Sequence, residues 1–496
     1  MLGRWLIPYF GVLFFVSHVV FVLGHPGATL KDPGVGWHLR AGHLLLETRT
    51  LPHMDPFSFT AQDRPWLNYY WGFQVLSAAI ERVGGLPLVA TVWMLVYALI
   101  PFVLYRNAVR AGASPLAALV VLPLAHVVLL SHALTRPHVV TYLFFAILVG
   151  RLADVEAGRR DARALWWLPI LAMVWANMHG GFIAGLGAVG TVALASAAGP
   201  MLEGGAPAWG RARPFVLLFV AMTLATFVNP YGPALHEQAI AHVSQASTAR
   251  FAEFRSPDFR NGGASVGCFE VLAIATMALG AIGCLRPTWG SVALLAATLH
   301  MALRSARDMN LFVLVATPLV AVALTRMLAE RRPELDARWR AIGAQQEASP
   351  ARWAQLALVS VACLVLAQVG RSPFPTTLDG LQLSRGGAQF LDAHADRFTR
   401  SFNTDGLGGA LIYRFWPRLH VFVDDRTPVY GEAFMDDYFR VFDARPGWQD
   451  VLARWGVTGA IVATGTPIAP VLRASPEWTV DYEDEQTLVC SRRNGP

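Results

Sequence analysis

Lysine is almost missing from this 496-residue chain: Lys31 is the single one, and every other basic residue is arginine. Charge of either sign is scarce, at 15% of residues, where a soluble domain carries about 25%. Hydrophobic residues make up 54%. That much hydrocarbon does not fit one water-soluble core, so lipid solvates part of the chain. The net charge of +6 comes from arginines spread through short segments rather than gathered on a face, which excludes a nucleic-acid footprint. Cysteine is limited to Cys268, Cys284, Cys363 and Cys490, with no CxxC and no paired spacing. A disulfide scaffold and a zinc motif are therefore excluded. Internal repeats and low-complexity tracts are lacking as well.

What the sequence does have is apolar runs long enough to cross ~30 Å of hydrocarbon as helix. They fall near 6–24, 86–105, 114–133, 137–153, 164–178, 181–202, 212–229, 267–285, 289–304, 310–329 and 353–370, which makes about eleven spans. The first run is long for a signal peptide and lacks a small-x-small cleavage site, so it reads as an uncleaved span. If Arg4 is cytoplasmic, the inner loops hold Arg106, Arg110, Arg151, Arg159, Arg160, Arg163, Arg211, Arg213 and Arg286. The positive-inside bias thus predicts an inner N-terminus and an outer C-terminus. Two large outer segments follow. The first, 25–85, opens with KDPGVGWHLRAGHLLLE, a pattern for a short helix on the membrane surface. The second, 372–496, returns to soluble composition. Helix-like SRGGAQFLDAHA, GEAFMDDYFRVF and GWQDVLARWG alternate there with strand-like LHVFVD, GAIVAT, WTVDYED and TLVCSR. The expected architecture is an α-helical polytopic membrane protein over 1–371 with a C-terminal extracytoplasmic α/β domain over 372–496.

The polar residues are one-sided. The inner loops are bland, whereas the outer ends of the spans carry KDPGVGWHLR (31–40), LTRPH (134–138), WANMHGG (175–181), VNPYGPALHE (228–237), EFRSPDF (253–259) and LRSARDMN (303–310). Ionisable groups at membrane depth are costly and tend to face water-filled cavities or one another. Six such segments at one face imply the wall of one outward-open cleft, although capping and interface anchoring account for any one of them alone. Asp32, with His38 and Arg40 just after it, is placed to act as a general base or a metal ligand. Arg136, Arg304 and Arg307 offer planar forks of donors for phosphate oxygens, with headgroup snorkelling as the competing account. His138, His179 and His236 share the outer side without HxxxH or HExxH spacing, so they read as cavity-lining hydrogen-bonding histidines rather than a metal centre. Asn177, Asn229 and Tyr231 belong to the same segments. In the C-terminal segment, Asp405 precedes a glycine-rich turn opening a helix, and Asp424, Asp425 and Arg426 end a strand-like run. Loops at strand ends carry sites in α/β domains, but these glycines form no GxGxxG phosphate fingerprint.

In order along the chain, DPGVGWHLRAG, DPFSFT followed by RPW, TRPH, WANMHGGF, NPYG, SARDMNLF, NTDGLGGALIYRF and VFVDDRTPVYG resemble the GT-C class of membrane glycosyltransferases. The likeness is nearer to a group of bacterial GT-C-like membrane proteins and covers nearly the whole chain. It implies that Asp32 is the catalytic base or a metal contact and that Arg136 and Arg307 meet the carrier phosphate. NTDGLGG and VDDR stand where the oligosaccharyltransferase catalytic subunit, a distant relative, places its acceptor-recognition motif, without that motif's aromatic pair. Related proteins often carry a second acidic residue two positions after the first. Here Gly34 stands there, which favours a metal-free mechanism.

The expected function is therefore sugar transfer from a polyprenyl-phosphate-linked donor to a lipid, glycan or protein acceptor on the outer face of a bacterial inner membrane. Asp32 would deprotonate the acceptor, and arginines would stabilise the leaving phosphate. No motif calls for a cofactor, and a divalent metal is left open. Membrane lipid is an expected partner and nucleic acid is not. Two other readings stand beside this one: a transporter or flippase of a lipid-linked sugar, which the lack of repeats disfavours, and a non-catalytic scaffold that binds envelope glycan.

Overall fold

The computed structural model describes residues 9–244, 250, 252–347 and 351–493. Arg4, the first residues of the run at 6–24 and residues 494–496 lie outside it. The chain is mostly helical. In order come α1 (Phe10–Gly24), α2 (Gly34–Thr48), α3 (Trp71–Arg110), α4 (Pro115–Leu130), α5 (His138–Glu156), α6 (Leu168–Ala176), α7 (Phe182–Ala198), α8 (Trp209–Thr226), α9 (Ala234–Ser244), α10 (Gly263–Ala281), α11 (Trp289–Arg304), α12 (Met309–Arg331), α13 (Pro333–Glu347) and α14 (Arg352–Gln368). Among the described residues, five helices are long and apolar enough to cross a membrane: Trp71–Arg110, His138–Glu156, Phe182–Glu203, Gly263–Ala281 and Ala306–Arg331. Shorter apolar helices lie beside them, α1, α4 and α14 included. Local chemistry sets where they begin. Ser114 caps α4 by accepting from the Ala117 N–H at 3.2 Å, and Pro115 takes the first helical position, where a missing donor costs nothing. Helix α3 opens on the amphipathic stretch WGFQVLSAAIERVGG and kinks at its end, where Gly84 and Gly85 leave helical geometry and Gly85 takes φ +68°.

The remainder of the chain carries α15 (Arg385–His394), β1 (Ser401–Asn403), α16 (Asp405–Phe415), α17 (Thr427–Tyr430), α18 (Glu432–Phe442), α19 (Trp448–Arg454), β2 (Gly459–Ala463), α20 (Ile468–Ala474), β3 (Trp478–Glu483) and β4 (Thr487–Arg492). The sheet order is β1-β2-β4-β3, with β1 parallel to β2 and the other pairings antiparallel. A parallel neighbour needs a long crossover, and α16 to α19 supply it. In central β2, Gly459 to Val462 are all buried, as expected of a strand covered on both faces. Three of the four strand-like runs form strands, and the helix-like runs give α15, α18 and α19. LHVFVD does not join the sheet. Its Val421 exchanges backbone hydrogen bonds with Phe57 (3.0 Å) and Phe59 (3.1 Å) of the first loop. The Asn403 side chain takes up the neighbouring backbone, accepting from Phe422 N–H and donating to the Val423 carbonyl, each at 2.7 Å.

Two hydrophobic cores result. One fills the helix bundle around residues such as Trp93, Tyr97, Trp175 and Phe312. The other joins the C-terminal elements to Trp37, Ala41, Phe57, Ala61 and Trp66 of the first loop. The first loop is thus built into the C-terminal core. Helix α2, expected on the membrane surface, is sandwiched by protein: its Gly42 backs onto the Gln74 carbonyl of α3, and its Gly36 onto the Gly409 carbonyl of α16. At that crossing a Cβ on Gly409 would overlap the Pro33 carbonyl oxygen. Gly409→Ala is therefore expected to cost about 1–3 kcal/mol by overpacking and to lower the melting temperature of the detergent-solubilised protein. An unchanged melt would show that α2 and α16 are not in this contact.

Candidate functional site

A cavity of about 320 Å³ lies where the two cores meet, at the small end of the range for ligand pockets. Its polar lining converges from distant parts of the chain. Asp32 stands just before α2, Arg136 just before α5, Glu253 in the turn before α10, Arg307 just before α12, and Asp425 after the run that pairs with the first loop. Trp37, Trp66, Tyr69 and Tyr70 supply aromatic walls.

Arg136 is the hub. Its Nε lies 3.2 Å from Asp32 Oδ1, its Nη2 3.1 Å from Asp425 Oδ2 and its Nη1 3.6 Å from Glu253 Oε2. Arg307 Nη1 lies 3.6 Å from the other Glu253 oxygen. Asp32 Oδ1 also accepts the Gly34 N–H at 2.8 Å, and Asp425 Oδ1 accepts Trp37 Nε1–H at 2.5 Å. The two aspartates close over Gly34, where a Cβ would sit 3.0 Å from Asp425 Oδ2 and 3.1 Å from Asp32 Oδ1. The position that lacks a second acid in sequence thus makes room for a carboxylate from the far end of the chain.

Burial raises the pKa of both Asp32 and Asp425, and the nearby Arg136 offsets part of that rise. Each also raises the other or is raised by a further acid: Asp32 acts on Asp425, and Glu253 on Asp32. Burial alone would lower the Arg136 guanidinium, but Asp32, Glu253 and Asp425 outweigh it and hold it above its ordinary range. His38 is lowered by burial and then by Arg136, and its Nδ1 accepts from Gln74 Nε2 at 3.2 Å. His179 Nδ1 accepts the Gly181 N–H at 2.9 Å and faces the Thr141 hydroxyl at 2.7 Å. Its Nε2 lies 3.4 Å from Arg307 Nη2.

Of the residues singled out from sequence, Asp32, His38, Arg136, His138, His179, Arg307, Asp405, Asp425 and Arg426 line this cavity. The others lie elsewhere. Arg40 donates to the Trp416 carbonyl at 2.8 Å and packs over its ring. Asn177 accepts from Trp71 Nε1–H at 3.0 Å and donates to the Val228 carbonyl at 2.8 Å. Asn229 caps its own turn through the Tyr231 N–H at 2.7 Å, and the Tyr231 hydroxyl accepts the Asn68 N–H at 3.1 Å. Arg304 is exposed at the end of α11. Asp424 is fully buried behind the cavity, bonded to Arg426. Sequence reasoning missed Glu253, although its segment EFRSPDF stood out as polar. It also missed the aromatic walls, which no polar count reveals.

No protein-family model and no curated protein sequence matches the chain. Solved structures do. The apo oligosaccharyltransferase of Archaeoglobus fulgidus aligns over 92% of this chain and 70% of its own, at 10% identity and a TM-score of 0.57. The AglB oligosaccharyltransferase of that organism, in complex with an inhibitory peptide and a dolichol-phosphate, aligns over the same shares at 10% identity and 0.55. ArnT from Cupriavidus metallidurans, bound to undecaprenyl phosphate, aligns over 97% of both chains at 14% identity and 0.50. The chain has a GT-C-like fold.

A divalent cation needs carboxylate oxygens within about 2.0–2.6 Å of itself. Here a guanidinium sits among the three carboxylates that would have to close on it. Among the described residues, no group of three or more His, Cys, Asp or Glu side chains is placed to hold a metal. The residues do not fit a metal ion.

Proposed function

We propose that this GT-C-like chain is a membrane glycosyltransferase that moves a sugar from a polyprenyl-phosphate-linked donor to an acceptor nucleophile. The observation that carries the reading is the convergence of Asp32, Asp425, Arg136 and Arg307 in one buried cavity between the helix bundle and the C-terminal core. The neighbours in complex with dolichol-phosphate and with undecaprenyl phosphate support a polyprenyl phosphate as the carrier.

In the proposed reaction the acceptor oxygen or nitrogen attacks the sugar's anomeric carbon, and the bond from that carbon to the phosphate oxygen breaks. The acceptor's proton passes to Asp32, and the electron pair stays on the phosphate. Arg136 and Arg307 face the charge that develops there, and the low-dielectric cavity strengthens their effect. The C-terminal domain over 372–496 contributes Asp425 and shapes the acceptor side, and the cavity opens to the extracytoplasmic face.

Mass spectrometry of lipids that co-purify with the detergent-extracted protein tests this. The wild type is expected to carry a polyprenyl phosphate or its sugar conjugate, and an Arg136→Ala, Arg307→Ala double variant at least tenfold less. Bulk phospholipid alone in both samples would refute the donor assignment.

A further inference from the structure

On the glycosyltransferase reading above, we infer that Arg136 is the resident cation of this cavity in place of a divalent metal, and that the phosphate-linked donor enters together with one proton taken up by the Asp32–Asp425 pair.

The charges facing the cavity do not balance for an incoming anion. Two guanidiniums, Arg136 and Arg307, face three carboxylates, Asp32, Asp425 and Glu253. The third arginine of the lining, Arg426, is already held by Asp55 at 2.7 Å and Asp424 at 2.6 Å. Asp405 adds a further carboxylate at the edge, bonded by the Tyr438 hydroxyl at 2.8 Å. His38 is held neutral by burial with its Nδ1 already accepting a hydrogen bond, and His138 Nε2 is engaged with the His132 carbonyl at 2.9 Å. Tyr69 and Tyr70 bond each other through their hydroxyls at 2.9 Å.

A sugar phosphodiester brings one more negative charge, and a buried charge left without compensation is strongly disfavoured. Either a cation or a proton must come with it. A divalent cation would have to displace Arg136 from its place among Asp32, Asp425 and Glu253, and so would remove the group that meets the phosphate. A proton needs no displacement. Two carboxylates closing on one point over Gly34 do not both stay ionised when a third anion arrives, whereas one proton shared between them leaves one carboxylate ionised as the base. Arg136 and Arg307 then turn from the carboxylates to the phosphate.

The probe is a polyprenyl methyl phosphodiester, which carries one charge and does not itself titrate near neutral pH. Its binding to the full-length protein is measured calorimetrically with EDTA present, in two buffers of different ionisation enthalpy. Uptake of about one proton per ligand bound is expected at pH 7.5, with affinity unchanged by EDTA. Asp425→Asn, whose amide oxygen still accepts from Trp37, is expected to bind with uptake near zero, and Asp32→Asn likewise. Binding without proton uptake in the wild type, or binding lost in EDTA and restored by Mg²⁺ or Mn²⁺, would overturn the inference while leaving the donor site standing. No binding under any of these conditions would remove the donor site and the inference together.

Discussion

Asp32→Asn is expected to slow sugar transfer by roughly 10²–10⁴-fold, the range that a positioned general base contributes, while the donor still binds. The amide keeps the shape and the oxygen that accepts the Gly34 N–H, so the cavity stays assembled, but it no longer takes the acceptor's proton. The wild-type pH profile carries the same information with a defined sign. Burial raises Asp32 and Asp425 above the ordinary carboxylate value of about 4. A raised carboxyl regains its proton at a higher pH on acidification, so kcat falls earlier on the acid side than it would for an exposed base. On the alkaline side the second proton of the pair is lost and donor binding weakens, so KM rises while kcat holds. Single-turnover transfer assays between pH 4 and 9 separate the two limbs. A rate in Asp32→Asn equal to the wild type would end the assignment of Asp32 as base.

How much of this was legible in the sequence differs by level. The helix bundle was legible because span-length apolar runs are a strong periodic signal, and the GT-C likeness rested on motif order over the whole chain. The position of Asp32 was legible for the same reason. Asp425 was visible only as part of VDDR, because nothing local says that a residue almost four hundred positions away closes over Gly34. That contact depends on the crossing of α2 with α16 through Gly36 and Gly409, a property of two backbones rather than of either segment. LHVFVD misled for a related reason. Its alternating apolar pattern is that of a strand, but its backbone partners are Phe57 and Phe59 of the first loop and the side chain of Asn403. Asn177, Asn229 and Tyr231 have the composition of site residues, yet they brace turns around the cavity. Polar composition marks the rim, and only packing distinguishes brace from lining.

The other large effect is expected at Arg426, which ties the first loop to the C-terminal core. Its guanidinium is buried between Asp55 and Asp424 and packs against Trp66 at 4.8 Å, Phe57 at 5.0 Å and Trp37 at 5.5 Å from the ring centres. The acids have further partners. Asp55 accepts the backbone N–H groups of Phe57 and Ser58, each at 3.1 Å, and Asp424 accepts the Tyr430 hydroxyl at 2.9 Å. Arg426→Met keeps much of the volume but leaves two buried carboxylates without their cation, and removing one partner of a buried pair costs about 3–5 kcal/mol. Asp55→Asn is expected to cost less, because Arg426 retains its two-point contact with Asp424 and the amide oxygen still accepts from Nη1. The ranking matters more than either value. Thermal melts of the solubilised variants should place Arg426→Met well below Asp55→Asn, and Asp55→Asn below the wild type. Because Asp425 precedes Arg426, the melt should be accompanied by lost transfer activity in Arg426→Met even at temperatures where it stays folded. Equal stability of all three proteins would mean that the clamp does not join loop to core, and the position of Asp425 over Gly34 would then lack its support.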